Sequence, residues 1–182
     1  MNVNLRWIRL RLVWLLVPPF FYFARPTLPL LAVGLAWAIP GALIRAWGAG
    51  VLDKDRVLAV SGPFAYTRNP LYLGTLLVGL GVTVAGGRPG FVIAFAAFFA
   101  LVYTRTMRHE ERWLEERFGD EFRVYARHVP LLVPRLRPFR PEVSAAAAPT
   151  TLRFELKRYL GNREYQTALG ILAGFLGLAV LL

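Results

Sequence analysis

The chain contains no cysteine, and only two histidines and two methionines. Lack of cysteine excludes a disulfide framework, a thiolate zinc site and a cysteine nucleophile. His109 and His128 stand apart from any Asp/Glu pattern with metal-ligand spacing, so both read as surface or interfacial residues and no metal site is expected. Charge is also scarce, at 18% of 182 residues, and acidic residues number 11 against 22 basic ones. A net charge of +11 suits either nucleic acid or an anionic lipid surface. No Lys/Arg-Gly-aromatic box and no zinc-finger spacing supports nucleic acid. No Gly-x-Gly-x-x-Gly strand-to-helix turn is present to place a dinucleotide.

What is abundant is apolar length. Hydrophobic residues make up 56% of the chain and the mean hydropathy is +0.45. Five runs, at 5–24, 27–48, 71–85, 91–104 and 165–182, approach the roughly 17–25 residues of a bilayer-spanning helix. The third and fourth are short and separated only by Gly86-Gly87-Arg88-Pro89-Gly90, which predicts a tight helical hairpin. Pro40-Gly41 predicts a kink in the second run. Pro18-Pro19 followed by Phe20-Phe21-Tyr22-Phe23 is a poor signal-peptidase site, so the first run is read as an uncleaved span. The expected fold is therefore all-α: a polytopic membrane protein with about five transmembrane helices. Placing the N-terminus, residues 45–70 and residues 105–164 on one side puts all but Arg25 and Arg88 of the 22 Lys and Arg there. By the positive-inside rule that side is the cytoplasm. The N-terminus is then cytoplasmic and, with a fifth span, the C-terminus lies outside. A bacterial inner membrane and an anionic inner leaflet are the expected surroundings.

Two stretches on the cytoplasmic side carry chemistry. In the first, Gly62 to Gly74, a Gly-Pro turn leads through a polar run with Arg68 into an apolar helix opening at Asn69-Pro70. Asn is a preferred N-cap, and Pro at the first helical position sacrifices no hydrogen bond. A helix mouth with free N–H groups beside a cation suits a carboxylate or phosphate; a capped helix start with a snorkelling Arg is the plain structural alternative. The second stretch, from Thr104 to Gly119, reads as a helix that ends or pauses at Gly119. Leu114, Phe118, Phe122 and Tyr125 fall on one face. Glu111 projects near the middle of that stripe and needs a partner, for which Arg68, Arg105 or a cationic ligand are candidates. Asp53 and Asp55 read as loop charges paired with Lys54 and Arg56.

Together these stretches resemble the isoprenylcysteine carboxyl methyltransferase family and its phospholipid methyltransferase relatives. Gly62-Pro63-Phe64-Ala65-Tyr66-Thr67-Arg68-Asn69-Pro70-Leu71-Tyr72-Leu73-Gly74 is similar to that family's aromatic turn followed by Arg-His-Pro-x-Tyr-x-Gly. Downstream, Glu110-Glu111, Leu114, Phe118-Gly119, Phe122, Tyr125 and Val129-Pro130 resemble its second block. The departure is Asn69, which replaces a frequent His and cannot titrate. The resemblance implies S-adenosylmethionine as cofactor, held from the cytosolic side, and a lipophilic or prenylated substrate arriving through the membrane. Carried over, Tyr66, Arg68, Asn69, Pro70, Leu71 and Tyr72 form one cofactor-binding wall, and Glu110 and Glu111 the other. Arg68 and the N–H groups near Asn69-Leu71 would hold the cofactor's carboxylate. Either glutamate would accept from its amino group or ribose. The Tyr72 ring would pack on adenine or the methyl donor. Glu110, Arg105 and Arg108 are the candidate catalytic residues, with the arginines gripping an anionic acceptor group.

Residues 1–141 are expected to form the enzyme core. Residues 142–182 would supply a linker, an amphipathic helix on the cytoplasmic leaflet and the fifth span. Pro134 to Pro141 reads as a surface strap. Gly170 and Gly174, four apart, suggest close packing or a homodimer through the last helix. Two alternatives stand beside the methyltransferase: a nicotinamide-dependent membrane reductase of the steroid-reductase type, and a non-catalytic lipid-binding scaffold.

Overall fold

The computed structural model describes residues 16–53, 57–140 and 153–182. Arg6, Arg9, Arg11, Lys54, Asp55 and Arg56, together with the 142–150 linker, lie outside the described residues. Every regular element described is helical: α1 (16–23), α2 (Leu28–Val51), a 3₁₀ turn (Gly62–Ala65), α3 (Pro70–Ala85), α4 (Pro89–Phe98), a π segment (Phe99–Tyr103), α5 (Thr104–His128), α6 (Leu156–Gly161) and α7 (Tyr165–Ala179).

α2 starts where Thr27 Oγ1 accepts from the Leu30 N–H at 3.4 Å, with Pro29 in its first turn. It continues through Pro40-Gly41 without a break in helical assignment. The antiparallel partner of α2 is α3, and glycines set their separation. A Cβ on Gly34 would stand 2.5 Å from the Gly81 carbonyl, and one on Gly41 would stand 2.8 Å from the Gly74 carbonyl. The recurrence of Gly34, Gly41 and Gly48 every seven residues keeps one backbone-thin edge of α2 against α3. Such small-residue seams let membrane helices approach to backbone contact. Ala38 and Ala85 are buried beside the seam, where Phe175 and Leu178 of α7 join Ala24 and Leu31 in one apolar cluster. The last hydrophobic run therefore packs into the same core as α2 and α3.

The predicted hairpin is present, with Gly87 at φ 73° in its turn. The helix of the fourth run continues past residue 104. α4, the π segment and α5 form one helical path of 40 residues, Pro89–His128. Polarity ends the hydropathy run at Thr104, but neither Pro nor Gly interrupts the backbone bonding between Gly90 and Gly119. At Gly119 (φ 53°, ψ −124°) the helix turns, the pause that glycine there predicts.

Leu35, Ile39 and Leu43 on α2, Ile93 and Leu101 on the long path, and Leu169, Leu172 and Leu176 on α7 are exposed. Outward apolar faces on this scale belong against lipid. Among the described residues two helices, Leu28–Val51 and Pro89–His128, are long and apolar enough to cross a bilayer. α3 and α7 are apolar but shorter, at 16 and 15 residues. Of the about five spans expected from hydropathy, two thus have full bilayer length among the described residues, and residues 5–15 of the first run lie outside them.

Candidate functional site

The Arg68 loop is built between two ends of the fold. Gly62 takes φ 58°, and a side chain there would run into Val51 and Trp47. The 3₁₀ turn that follows exposes its carbonyls to elements arriving from much later in the chain. The Tyr125 hydroxyl donates to the Phe64 carbonyl at 2.7 Å. Residues 129–140, the strap after α5, then follow the loop residue by residue. Phe139 N–H donates to Ala65 O at 2.8 Å, Arg135 N–H to Tyr66 O at 2.9 Å, and Arg68 N–H to Pro130 O at 2.9 Å. The buried Thr67 hydroxyl reaches the Leu132 carbonyl at 3.0 Å. Val129, Phe122 and Tyr125 close a small core over Leu58 and Val60, with Leu114 and Phe118 packed against it. The apolar stripe read from the sequence is thus the face that seats the loop. Burial pushes the Tyr125 phenol well above its ordinary value, and the nearby Arg68 charge pulls modestly the other way.

Held this way, Arg68 reaches α5 and forms an ion pair with Glu111, both side chains largely withdrawn from solvent. Its Nε is buried and has no hydrogen-bond partner. An unmatched buried donor on a guanidinium is costly. One turn along α3, the Tyr72 hydroxyl donates to Glu110 Oε1 at 2.6 Å. The Tyr72 ring meets Tyr103 edge-on at 5.5 Å, and Tyr103 stacks on Phe99 at 4.6 Å. Tyr103 and Phe99 lie in the π segment, a distortion frequent at functional sites. Beside Arg68 and Glu111 opens a cleft of about 810 Å³, whose lining carries five arginines (68, 108, 112, 123 and 127) and two glutamates (111 and 115). Arg123 is engaged with Glu115 at 2.8 Å and Asp120 at 3.1 Å.

The two predicted walls therefore meet, Arg68 against Glu111 and Tyr72 against Glu110. Other residues sit differently from expectation. Asn69 occupies the N-cap position of α3, but its side chain makes no cap; Nδ2 donates to the Leu131 carbonyl at 3.0 Å instead. With the Arg68 N–H given to Pro130 and none on Pro70, the helix mouth offers fewer donors than the sequence suggested. Pro70 is fully buried, and Leu71 lies against Gly48 of α2, so both pack α3 rather than face the cleft. Tyr66 is half-buried and is absent from the cleft lining. Arg108 lines the cleft and Arg105 does not. Asp53, read as pairing with neighbours in its own loop, stands 3.8 Å from Arg158.

Sequence reasoning missed Arg112 and Arg127, which stand on the cleft face on either side of the Gly119 turn. It also missed the backbone pairing of strap and loop, for which the only signal was Val129-Pro130. His109 is exposed, while His128 stacks on Phe139 at 5.5 Å. Among the described residues no three His, Cys, Asp or Glu side chains converge as a metal ion requires.

Residues 32–121 match the phospholipid methyltransferase family. The cobalt-zinc-cadmium resistance protein CzcN of Cupriavidus metallidurans is 38% identical over 117 residues, 62% of this chain and 53% of that protein. The nickel-cobalt-cadmium resistance protein NccN of Alcaligenes xylosoxydans xylosoxydans is 35% identical over 117 residues, 62% of this chain and 54% of that one. The protein-S-isoprenylcysteine O-methyltransferase of Schizosaccharomyces pombe is 29% identical over 82 residues, 45% of this chain and 35% of that enzyme. The chain thus spans about half the length of the two resistance proteins. No solved structure matches. The Arg68 loop and the Glu110–Glu111 turn both fall inside residues 32–121, the stretch that matches the phospholipid methyltransferase family, and isoprenylcysteine O-methyltransferases are among the relatives this chain resembles.

Proposed function

We propose that this protein transfers a methyl group from S-adenosylmethionine to a lipophilic acceptor held in the membrane, a lipid or a prenyl-cysteine-like carboxylate. The family match and the isoprenylcysteine methyltransferase relatives support the reaction class. The observation that carries the site is the Arg68–Glu111 pair with its unmatched buried Nε, at the edge of the cleft. An amino-acid group is a carboxylate and an ammonium a few ångströms apart, and Arg68 and Glu111 present the matching opposite charges.

When bound, the cofactor supplies an electrophilic methyl on a sulfonium. The chain's own residues then have the following work. Arg68 turns its free donor to a carboxylate, a bidentate match for guanidinium. Glu111 accepts from the ammonium. Tyr72 fixes Glu110, so that the second carboxylate keeps one orientation. Methyl transfer is an in-line displacement, so fixed geometry supplies much of its rate. Arg108, with Arg112, would hold an anionic group of the acceptor, whereas Arg105 does not line the cleft. An acceptor that arrives as a carboxylate needs no strong base, in keeping with a cleft whose glutamates are already engaged. The basic face supports the reading that this chemistry takes place at the cytosolic leaflet of the membrane.

The test is transfer of radiolabel from S-adenosylmethionine into a membrane lipid extract by the purified protein, alongside equilibrium binding of S-adenosylmethionine and NADPH. Label in the lipid phase with S-adenosylmethionine binding supports the proposal. Binding of NADPH alone would move the protein to the reductase class, and binding of neither would leave a scaffold.

A further inference from the structure

We propose that Glu164, in the C-terminal segment outside the family match, is a positioning residue for the cofactor site, acting through Arg45; this rests on the methyltransferase proposal. Arg45 lies on α2, and its stem passes over Gly74, where any side chain would block it. Its guanidinium is saturated. Nε donates to Glu164 Oε1 at 2.6 Å and Nη2 to Glu164 Oε2 at 2.9 Å, a two-point grip. Nη2 also reaches Thr167 Oγ1 at 3.2 Å. Nη1 donates to Thr75 Oγ1 at 2.5 Å and to the Leu71 carbonyl at 3.1 Å. A guanidinium has five N–H donors, and here each has an acceptor.

Glu164 is one of the few buried charged residues, 8% exposed at the head of α7. A carboxylate there is tolerable only with a counter-charge. Its position is set by the preceding backbone: Arg163 takes φ 56°, and Asn162 Nδ2 donates to the Ala49 and Leu52 carbonyls at 2.8 and 3.2 Å. The turn before α7 is thus pinned to the end of α2, and from it Glu164 reaches Arg45.

Leu71 links this cluster to the site. It lies in the first turn of α3, between Arg68 and Tyr72, and its carbonyl takes bonds from Arg45 and from the Thr75 hydroxyl at 2.9 Å. The turn that aims Arg68 and Tyr72 at Glu111 and Glu110 is therefore held from below by a guanidinium whose counter-charge comes from residue 164. The family match covers Arg45, Leu71 and Thr75 but ends before Glu164 and Thr167. In this chain the C-terminal segment completes the support of the site.

The experiment uses the full-length protein in nanodiscs and follows three quantities: affinity for S-adenosylmethionine, hydrogen exchange over residues 66–76, and the melting temperature. Glu164→Gln should weaken cofactor binding about tenfold, the scale of one lost charge-assisted bond, and should speed exchange over 66–76. The exchanged pair Arg45→Glu with Glu164→Arg separates positioning from plain stabilisation. It should recover the melting temperature but not the affinity, because a carboxylate at position 45 cannot donate to the Leu71 carbonyl. Wild-type affinity and exchange in folded Glu164→Gln, or full recovery of affinity in the exchanged pair, would overturn the proposal. Should Glu164→Gln fail to fold, Thr167→Val removes one of the five bonds and must still raise exchange over 66–76; unchanged exchange refutes the coupling. A wild-type protein that binds no S-adenosylmethionine defeats the functional proposal, and the exchange measurement then decides this one alone.

Discussion

Replacing Arg68 by alanine tests the site most directly. In the free protein Arg68 pairs with Glu111, their side chains 17% and 25% exposed. The pair lies between a surface ion pair, worth about 0–1 kcal/mol, and a buried one, whose disruption costs about 3–5 kcal/mol. Loss of Arg68 should therefore cost about 1–3 kcal/mol of stability, and the protein should remain folded. In the cofactor complex the lost contact is a charge-assisted bond to a carboxylate, worth about 1.5–3 kcal/mol, or about 10- to 150-fold in affinity. Glu111, freed of its partner, would attract the cofactor's ammonium more strongly and offset part of that loss. About tenfold weaker binding is the expected result. The deciding comparison uses a decarboxylated analogue of S-adenosylmethionine in the same titration. Wild-type protein should bind it more weakly than the parent cofactor, and Arg68→Ala should change its affinity little. Equal losses for both ligands, or none for either, would refute the assignment of Arg68 to the carboxylate.

Three further outcomes are expected. Tyr72→Phe removes the hydroxyl held by Glu110 and should lower the methyl-transfer rate about tenfold, from the loss of one hydrogen bond to a charged group, with little change in thermal unfolding. Tyr125→Phe strands the buried Phe64 carbonyl and should cost about 1–3 kcal/mol in denaturant unfolding. Since burial raises the Tyr125 pKa in the folded state, its contribution is complete below the unfolded value of 10.0 and declines as the pH rises beyond it. The wild type should lose this component of stability in alkaline titration, and Tyr125→Phe should not. Gly34→Ala drives a methyl into the Gly81 carbonyl and should cost about 1–3 kcal/mol or more. Gly170→Ala, with nothing within 4 Å, should be neutral or stabilising unless α7 pairs with a second copy, which cross-linking would detect.

The apolar runs, the glycine-punctuated hairpin and the opening of α3 at Pro70 were legible because each is a local property: hydropathy length, turn chemistry, and proline's missing N–H. The pause at Gly119 was legible for the same reason, and the face shared by Leu114, Phe118, Phe122 and Tyr125 followed from helical periodicity. The glycine seam of α2 was also present in the sequence as a seven-residue recurrence, though only its match to Gly74 and Gly81 gives it meaning.

Tertiary structure alone decided which partner each polar group took. Asn69 has the chemistry of a cap, but the strap brought the Leu131 carbonyl closer, and a hydrogen bond goes to the acceptor that packing delivers. Pro70 and Leu71 sit inside the motif, yet the approach of α2 turns them into packing surface. Glu164 and Arg45, 119 residues apart, carry no mutual signal along the chain. Burial of the carboxylate leaves the pair as the arrangement in which both charges can leave water. The amino-acid order thus determined where helices begin, bend and face lipid, through forces that act within a few residues. Which charges meet at the cleft was decided by the long-range packing of α2, α3, α5 and the strap, because electrostatic pairing depends on distance in space and not on separation in sequence.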